Sequence, residues 1–386
     1  MSSFDSSLRQ ITDRIHAAAA DRTPLRIRGG GSKDFYGQSL QGELLDTTPL
    51  KGIISYEPSE LVVTVRAGTP LADLEAALAE QGQCLAFEPP RFGRSGAAPG
   101  TATCGGMVAA GLSGPARASV GAVRDFVLGV TLLNGRGELL TFGGQVIKNV
   151  AGYDVSRLMV GALGTLGLLT EMSLKVLPVA PAEATLVFEL DQARALTQLH
   201  RWGGQPLPLN ASCWVRDDSD TRAGPRELLF VRLRGAAAAV ESACRKMTQD
   251  VPGTRLDNAV TAPDWQACRD LRLPFFSRPA ADNLALWRLS VPQTAPVLAL
   301  PWPQLVEWHG GQRWLWAPLP AEAQLRQAAA GAAGTATLFI APHAHDTGAT
   351  ARFNPLKPPL DQIHLRLKRE FDPVGIFNRG RLYPDF

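Results

Sequence analysis

The 386-residue chain lacks the charge surplus a nucleic-acid surface needs. Its 39 Lys and Arg against 36 Asp and Glu leave a formal charge of +3, and no block of consecutive Lys or Arg occurs. Cysteine is scarce: Cys84, Cys104, Cys213, Cys244 and Cys268 are five in number and widely spaced, with no C-x-x-C pair. That excludes a disulfide framework, and an iron–sulfur or zinc centre built from this chain alone. It points to a reducing, cytoplasmic compartment. No apolar run reaches about 18 residues, so no transmembrane segment is expected. The opening MSSFDSSLRQITDRI has no apolar core of signal-peptide type. Neither G-x-G-x-x-G nor G-x-x-x-x-G-K-[ST] is present, which leaves a Rossmann or Walker nucleotide site unsupported. No internal repeat appears at solenoid periods.

Glycine and tryptophan are distributed in opposite senses. Of 37 glycines, 25 precede residue 180, whereas all eight tryptophans lie at or beyond Trp202. The first part reads as backbone approaching a ligand, the second as a core or interface filled by large rings. The length also exceeds one typical domain. Paired prolines in Leu177-Pro178-Val179-Ala180-Pro181 interrupt a strand-like run, placing a boundary there. Strands are predicted over Ile53–Tyr56, Leu61–Ala67, Phe126–Leu133, Glu138–Phe142 and Leu168–Leu177, with Asn134-Gly135-Arg136-Gly137 as a hairpin loop. A helix is expected after Ala67-Gly68, capped by Thr69 with Pro70 at its first position. Beyond 180, Leu186–Leu190, Leu228–Leu233 and Leu286–Val291 read as strands, and Arg234–Met247 as a helix. The alanine-rich stretch 317–336 reads as an exposed helix and loop. Leu360–Phe371 reads as a basic amphipathic helix with Arg366, Lys368 and Arg369 facing solvent.

Three glycine clusters stand out. Arg28-Gly29-Gly30-Gly31-Ser32-Lys33 follows the extended Leu25-Arg26-Ile27. Without Cβ atoms, successive backbone N–H groups can converge on an anion there, with a hydroxyl and two cations beside them. Taken alone, the run also suits a flexible surface turn. The second cluster runs from Pro99-Gly100-Thr101-Ala102-Thr103-Cys104-Gly105-Gly106 through Ala109 to Ser113-Gly114. Its small residues suit backbone lying flat against a large ligand. The third, Lys148-Asn149-Val150-Ala151-Gly152-Tyr153-Asp154, leads to Gly161-Ala162-Leu163-Gly164-Thr165-Leu166-Gly167 and into a strand.

In this order, RGGGSK, CGG-x-VA, VGAVRDFVLGVTLLNGRGEL, KNVAGYD and GTLGLLTE resemble the vanillyl-alcohol-oxidase (PCMH-type) FAD-binding domain over roughly residues 20 to 180. Phe371-Asp372-Pro373-Val374-Gly375-Ile376-Phe377-Asn378 resembles the tail by which that family's chain returns to its flavin domain. ATCGGMVAAGLSGP paired with KNVAGYD is most similar to the FAD-binding subunits of bacterial three-component glycolate oxidases. The resemblance implies an α+β chain: a PCMH-type FAD-binding domain of two α/β subdomains over 1–180, a smaller α+β cap over 181–345, and a C-terminal segment, 346–386, packing back on the first domain. It implies non-covalent FAD, with Arg28, Gly29, Gly30, Gly31, Ser32 and Lys33 at the pyrophosphate. Gly100, Thr101, Thr103, Cys104, Gly105 and Gly106 would follow along pyrophosphate and flavin, with Ala109 and Ser113 nearby. Gly121, Arg124 and Asp125 match a G-x-x-R-D that shapes the flavin pocket. Gly164, Thr165 and Leu168 would adjoin the adenosine, and Asn378 the isoalloxazine. About half of these residues are expected to touch the cofactor, because many glycines serve backbone geometry alone.

Three departures from the family pattern bear on function. Leu163 stands where full-length hydroxy-acid dehydrogenases of the family carry glutamate in G-S-E-G-T-L-G, and Arg379 replaces the family's proline after Asn378. Their H-x-G-D-G-N motif has no counterpart except Pro342-His343-Ala344-His345-Asp346, which reads as a surface loop, so no metal site is expected. Arg272, Arg278 and Arg288 are candidates to hold a substrate carboxylate, and the spacing selects none of them. No catalytic residue is assigned. The resemblance implies a divided complex: a related, larger flavoprotein subunit oxidises the 2-hydroxy acid, an iron–sulfur subunit accepts electrons, and this chain carries a second FAD. The alternatives are an autonomous FAD-dependent alcohol or hydroxy-acid dehydrogenase, and a non-catalytic assembly subunit. Membrane association is expected only peripherally, through partners.

Overall fold

The computed structural model describes residues 3–38, 40–92, 101–144, 153–218, 224–277, 279, 283–342, 350–384 and 386. The chain divides into two compact units: Met1–Leu112, Ala122–Val179 and Ala351–Phe386 form the first, and Ser113–Gly121 with Ala180–Thr350 the second.

The first unit holds strands β1 (Leu25–Arg28), β2 (Glu43–Asp46), β3 (Ile53–Glu57), β4 (Val62–Arg66), β5 (Gln83–Cys84), β6 (Val127–Leu133), β7 (Leu139–Gly143), β8 (Leu168–Lys175) and β9 (Leu177–Pro178). Its helices include α1 (Ser3–Asp21), α2 (Leu71–Glu80) and α3 (Cys104–Ala110). β1 and β2 pair in parallel as one small sheet. The antiparallel five-stranded sheet β3-β4-β8-β6-β7 is a second layer. The β-branched and leucine runs that predicted these strands form them, and Asn134 makes the expected hairpin. Its carbonyl accepts from Gly137 N at 3.0 Å, and its Oδ1 accepts from Arg136 N and Glu138 N. One capping expectation is corrected. Pro70, not Thr69, occupies the cap of α2, and the Thr69 hydroxyl accepts from Gly52 N at 2.9 Å instead. The first N–H of the helix, on Leu71, is satisfied by Ala102 O at 2.8 Å.

The chain's end returns to its beginning. Leu25 N donates to Ile376 O at 2.7 Å, Asn378 N donates to Leu25 O at 2.9 Å, and Leu25 pairs in parallel with Phe377. Ile376 and Phe377 are buried in one cluster with Ile11, Ile15, Leu45 and Leu168. Lys368 corrects the solvent-facing assignment. On the helix Leu360–Phe371, its side chain is 7% exposed against 0% for Asp372. Its Nζ donates to Asp372 Oδ2 at 2.8 Å, Thr165 O at 2.6 Å and Phe377 O at 2.9 Å. Asp372 in turn accepts from Ile376 N and Phe377 N. Burial pushes the Lys368 ammonium below its ordinary pKa, and Asp372 acts in the opposite direction. The helical period put Lys368 beside two exposed basic residues. Its long stem nevertheless carries the charge inward to carbonyls that the tail would otherwise leave unpaired.

The second unit is one antiparallel eight-stranded sheet, made of β10 (Ala182–Glu189), β11 (Leu209–Asp217), β12 (Arg226–Gly235), β13 (Gly253–Leu256), β14 (Leu284–Ser290), β15 (Gln304–Glu307), β16 (Gln312–Pro318) and β17 (Thr335–Ile340). The order β13-β10-β12-β11-β15-β16-β14-β17 is a topological duplication. The first half runs strand, helix (Gln192–Gly203), strand, strand, helix (Ala237–Asp250), strand, with the order of a split βαβ unit. The second half repeats it, with residues 291–303 in place of the first helix and Glu322–Gly331 as the second. The halves join where Cys213 and Trp214 face Glu307 and Val306. Each half has its own core, around Trp202 and Phe188 in one and Trp287 and Leu325 in the other. The alanine-rich stretch is thus a packed helix with Leu325 and Ala329 inside, flanked by strands, rather than an exposed helix and loop. Arg234 belongs to β12, and the predicted helix there begins at Ala237.

The crossing segment Ser113–Gly121 is fastened within this unit. Trp308 Nε1 donates to Gly114 O at 3.0 Å, the Arg117 guanidinium stacks 4.5 Å from the Trp308 ring, and the His309 nitrogens lie 3.0 Å from Ser212 Oγ and 3.1 Å from Ser119 Oγ. Trp308 and His309 are both left-handed, at φ 53° and 54°. Burial pushes the His309 imidazole down to about 4.

Two predictions follow from these contacts. Replacing Lys368 with Met leaves Asp372 buried without its cation and costs about 3–5 kcal/mol, read by urea unfolding. A loss under about 1 kcal/mol contradicts the assignment. His309 stays neutral in the folded chain between pH 6.5 and about 4, while the unfolded chain takes up a proton there. Stability therefore falls as pH drops through that window, and His309→Gln flattens the thermal-midpoint profile between those limits.

Candidate cofactor-binding site

Four segments of the first unit converge on two adjoining clefts. Both are lined by Ile27, Gly29, Gly106, Ala109, Leu163 and Asn378. One continues to Thr47, Ala67, Gly105, Met159, Ala162, Gly164, Gly167 and Leu169, an almost wholly apolar and backbone lining. The other continues along Arg28–Asp34 to Leu40, Thr103, Ala110 and Arg381, and carries the charge. A long ligand with one flat apolar part and one anionic part suits this division.

Local bonds place each wall. α3 starts where Cys104 N donates to Thr69 O at 2.9 Å and Gly105 N to Ala67 O at 2.8 Å. Thr103 caps it, its Oγ1 accepting from Gly106 N at 3.2 Å. The loop before β8 is pinned on α3 by Gly161 N to Val108 O at 3.1 Å and Leu163 N to Ala109 O at 2.9 Å. Asn378, itself left-handed at φ 40°, bridges two walls. Its Oδ1 accepts from Ile27 N at 2.7 Å, and its Nδ2 donates to Leu163 O at 2.6 Å. The first glycine loop turns at Gly31, φ 74°, and Arg28 Nε donates across it to Asp34 Oδ2 at 2.7 Å. A tight turn through a left-handed residue is one backbone form of an anion nest.

Gly30 shows why the loop is glycine. A Cβ there would stand 1.4 Å from Thr101 O, so the first and second glycine segments are in backbone contact. Gly106 is different. A Cβ there would meet only Thr103 Oγ1, at 3.2 Å, which leaves its other side open to the cleft.

Of the residues expected from sequence, Arg28, Gly29, Gly30, Gly31, Ser32, Lys33, Thr103, Gly105, Gly106, Ala109, Gly164 and Asn378 line the clefts. The others do not. Thr101 backs Gly30. Cys104 is fully buried on α3, its thiol pushed well up by burial, with Glu75 and Asp73 adding to the effect. Thr165 is enclosed and donates to Ala162 O at 2.7 Å, and Leu168 belongs to the core. Arg124 and Asp125 are exposed on a short helix, Val123–Phe126, where Asp125 accepts from Ala122 N at 2.8 Å. Ser113 and Gly121 belong to the second unit. Gly100, most of Lys148–Asp154, and His343 to Asp346 lie outside the described residues, as does Arg278. Arg272 is 3.4 Å from Asp270. Among the described residues no cluster of His, Cys, Asp or Glu suits a metal ion. Leu163 and Arg381 are lining residues the motifs missed. Leu163 had stood out only as a departure from a pattern, and Arg381 lies beyond every motif.

Sequence comparison places the chain among FAD-binding proteins. The FAD binding domain family matches residues 6–143. Over 375 residues the chain is 42% identical to glycolate oxidase subunit GlcE of Escherichia coli (strain K12), spanning 97% of each protein. The chain belongs to the GlcE family. Its cofactor is FAD, and the fold is the PCMH-type FAD-binding fold with α/β subdomains. D-2-hydroxyglutarate dehydrogenase of Xanthomonas citri pv. viticola is 31% identical over 68% of this chain and 54% of its own length. D-lactate dehydrogenase of Anaerostipes hadrus is 33% identical over only 38% and 29%. The chain thus spans about half or less of those two dehydrogenases. Among solved structures, alkyldihydroxyacetonephosphate synthase superposes with a TM-score of 0.64 at 14% identity, covering 96% of this chain and 75% of its own, a likeness of fold.

The residues present fit FAD. The open side of Gly106 and the Ala67–Ala109–Leu169 lining provide a flat apolar bed. The buried Ser32 sits beside the nest. Gly30→Ala forces the two glycine segments apart by more than an ångström. The purified variant is expected to lose flavin, read as the 450 nm absorbance per chain, while α1 and the tail still fold. Full flavin content in that variant contradicts the backbone contact.

Proposed function

We propose that this chain is the FAD-binding subunit of a glycolate, or more broadly 2-hydroxy-acid, oxidase or dehydrogenase complex, passing electrons through its flavin toward an iron–sulfur partner. The carrying observation is the match to GlcE over 97% of both proteins, against partial matches to the longer hydroxy-acid dehydrogenases. The proposed partners are a related, larger flavoprotein subunit and an iron–sulfur subunit, and the proposed site is cytoplasmic, with any membrane attachment through partners. No disulfide joins any of the five cysteines, which suits a reducing compartment. No described helix is long and apolar enough to cross a membrane.

In this reading Gly29 to Ser32 bind the pyrophosphate through backbone N–H groups and a hydroxyl, and Lys33 supplies charge. Gly105, Gly106 and Ala109 bear on the ring, and Leu163 and Gly164 close the opposite wall. FAD supplies the two-electron acceptor chemistry. Asp34 is the one carboxylate and no histidine stands among the described lining residues, and Asp34 is engaged by Arg28. A base for the hydroxyl proton of a hydroxy acid has no candidate there, which favours substrate oxidation on the partner flavoprotein and a relay or structural FAD here.

Anaerobic visible spectroscopy of the FAD-loaded chain with glycolate separates the readings. The flavin bands are expected to persist with this chain alone and to bleach once the partner subunits are added. Bleaching without partners assigns substrate oxidation to this chain and overturns the divided arrangement.

A further inference from the structure

The tail carries a second cleft-lining group besides Asn378, and it is charged. Arg381 lies three residues on, 5% exposed, and is tied to the stretch that continues the first glycine loop. Its guanidinium donates to Asp34 O at 2.8 Å, to Lys33 O at 3.4 Å and to Gln38 O, while its own carbonyl accepts from Gln38 N at 2.9 Å. Gly37, at φ 93°, lies against the same residue. A Cβ there would lie 3.0 Å from Arg381 O and 3.2 Å from Arg381 Nε. Arg28 grips the Asp34 side chain while Arg381 grips its carbonyl, so the two guanidinium groups fix the loop's exit from both ends.

This arrangement has an unusual charge balance. Among the described residues the acceptors of the Arg381 guanidinium are neutral carbonyls, those of Gln38, Lys33 and Asp34. Burial pulls its pKa down to about 10, with Asp34 acting upward and Arg352 downward, so it remains a cation at neutral pH. A buried cation held mainly by carbonyl dipoles is costly, and an anion brought into the same cleft lowers that cost.

We infer that Arg381 is a positioning residue for the cofactor's pyrophosphate: it holds the Lys33–Gln38 carbonyls away from the nest and supplies a cationic field to the bound diphosphate. The role makes retention of the adenosine-diphosphate half of FAD depend on the last few residues of the chain. It rests on the reading of the Arg28–Lys33 loop as the pyrophosphate site.

The test uses the full chain, stripped of flavin, as wild type, Arg381→Gln and Arg381→Lys. FAD and riboflavin binding are followed by fluorescence quenching, ADP by its competition with FAD, and the apo fold by circular dichroism and thermal midpoint. Arg381→Gln is expected to raise the FAD Kd about tenfold or more, the loss of a charge-assisted contact. The ADP Kd rises by a similar factor, while riboflavin affinity and the apo midpoint stay near wild type. Arg381→Lys, which keeps the charge and loses the fork, is expected to fall between the two. An FAD Kd within twofold of wild type in Arg381→Lys and in any folded Arg381→Gln overturns the assignment. So does an equal loss of riboflavin and ADP affinity, which marks a purely structural tail contact. Should Arg381→Gln fail to fold, the Arg381→Lys comparison decides alone. A wild-type chain that binds FAD but not ADP leaves the cofactor in place and removes the loop reading, and a chain that binds neither removes both.

Discussion

The Asn378 carboxamide ties the first strand to the loop before the last long strand of the first unit, through Ile27 N at 2.7 Å and Leu163 O at 2.6 Å. Both of those residues line the clefts, so one side chain near the chain's end sets their separation. The tail is held at that point by burial of Ile376 and Phe377 and by the Lys368–Asp372 pair, whose hydrogen bonds consume the backbone groups that the docking would otherwise strand. A buried pair of this kind is weak evidence of net stability. Its consequence lies in register: its bonds to Thr165 O, Phe377 O, Ile376 N and Phe377 N are made with the tail in this one placement. The site is thus closed by residues more than 300 positions apart in sequence, Ile27 and Asn378 among them.

Glycine in these walls answers two demands. At Gly30 the protein's own backbone occupies the place of a side chain, and at Gly106 the open cleft does. Sequence alone cannot separate them, because both read simply as the absence of a Cβ. The ordered motifs nevertheless made the family legible. The α+β architecture and the strands around Asn134 were equally readable, since alternation, Asn-Gly chemistry and β-branched runs are local signals.

What was not legible was long-range. Lys368 follows the helical period of its solvent-facing neighbours, and only the approach of Thr165 O and Phe377 O makes it a buried cation. Arg381 has no motif because its partners are carbonyls, which carry no side-chain signature. The duplicated topology of the second unit is invisible for a related reason. A loop, 291–303, replaces one helix, so the halves share an order of strands without a shared pattern of residues. The tryptophans expected to mark an interface or core include Trp202 and Trp287, each fully buried within a half-sheet core.

The central claim is that FAD occupies the first unit between the two glycine segments, beneath the tail. Hydrogen exchange with and without FAD tests it most directly. The account predicts that FAD slows exchange at the backbone amides of residues 29–33, 105–109 and 163–164, with added protection at 376–381. Protection confined to the second unit, or none in these segments at saturating FAD, would contradict it.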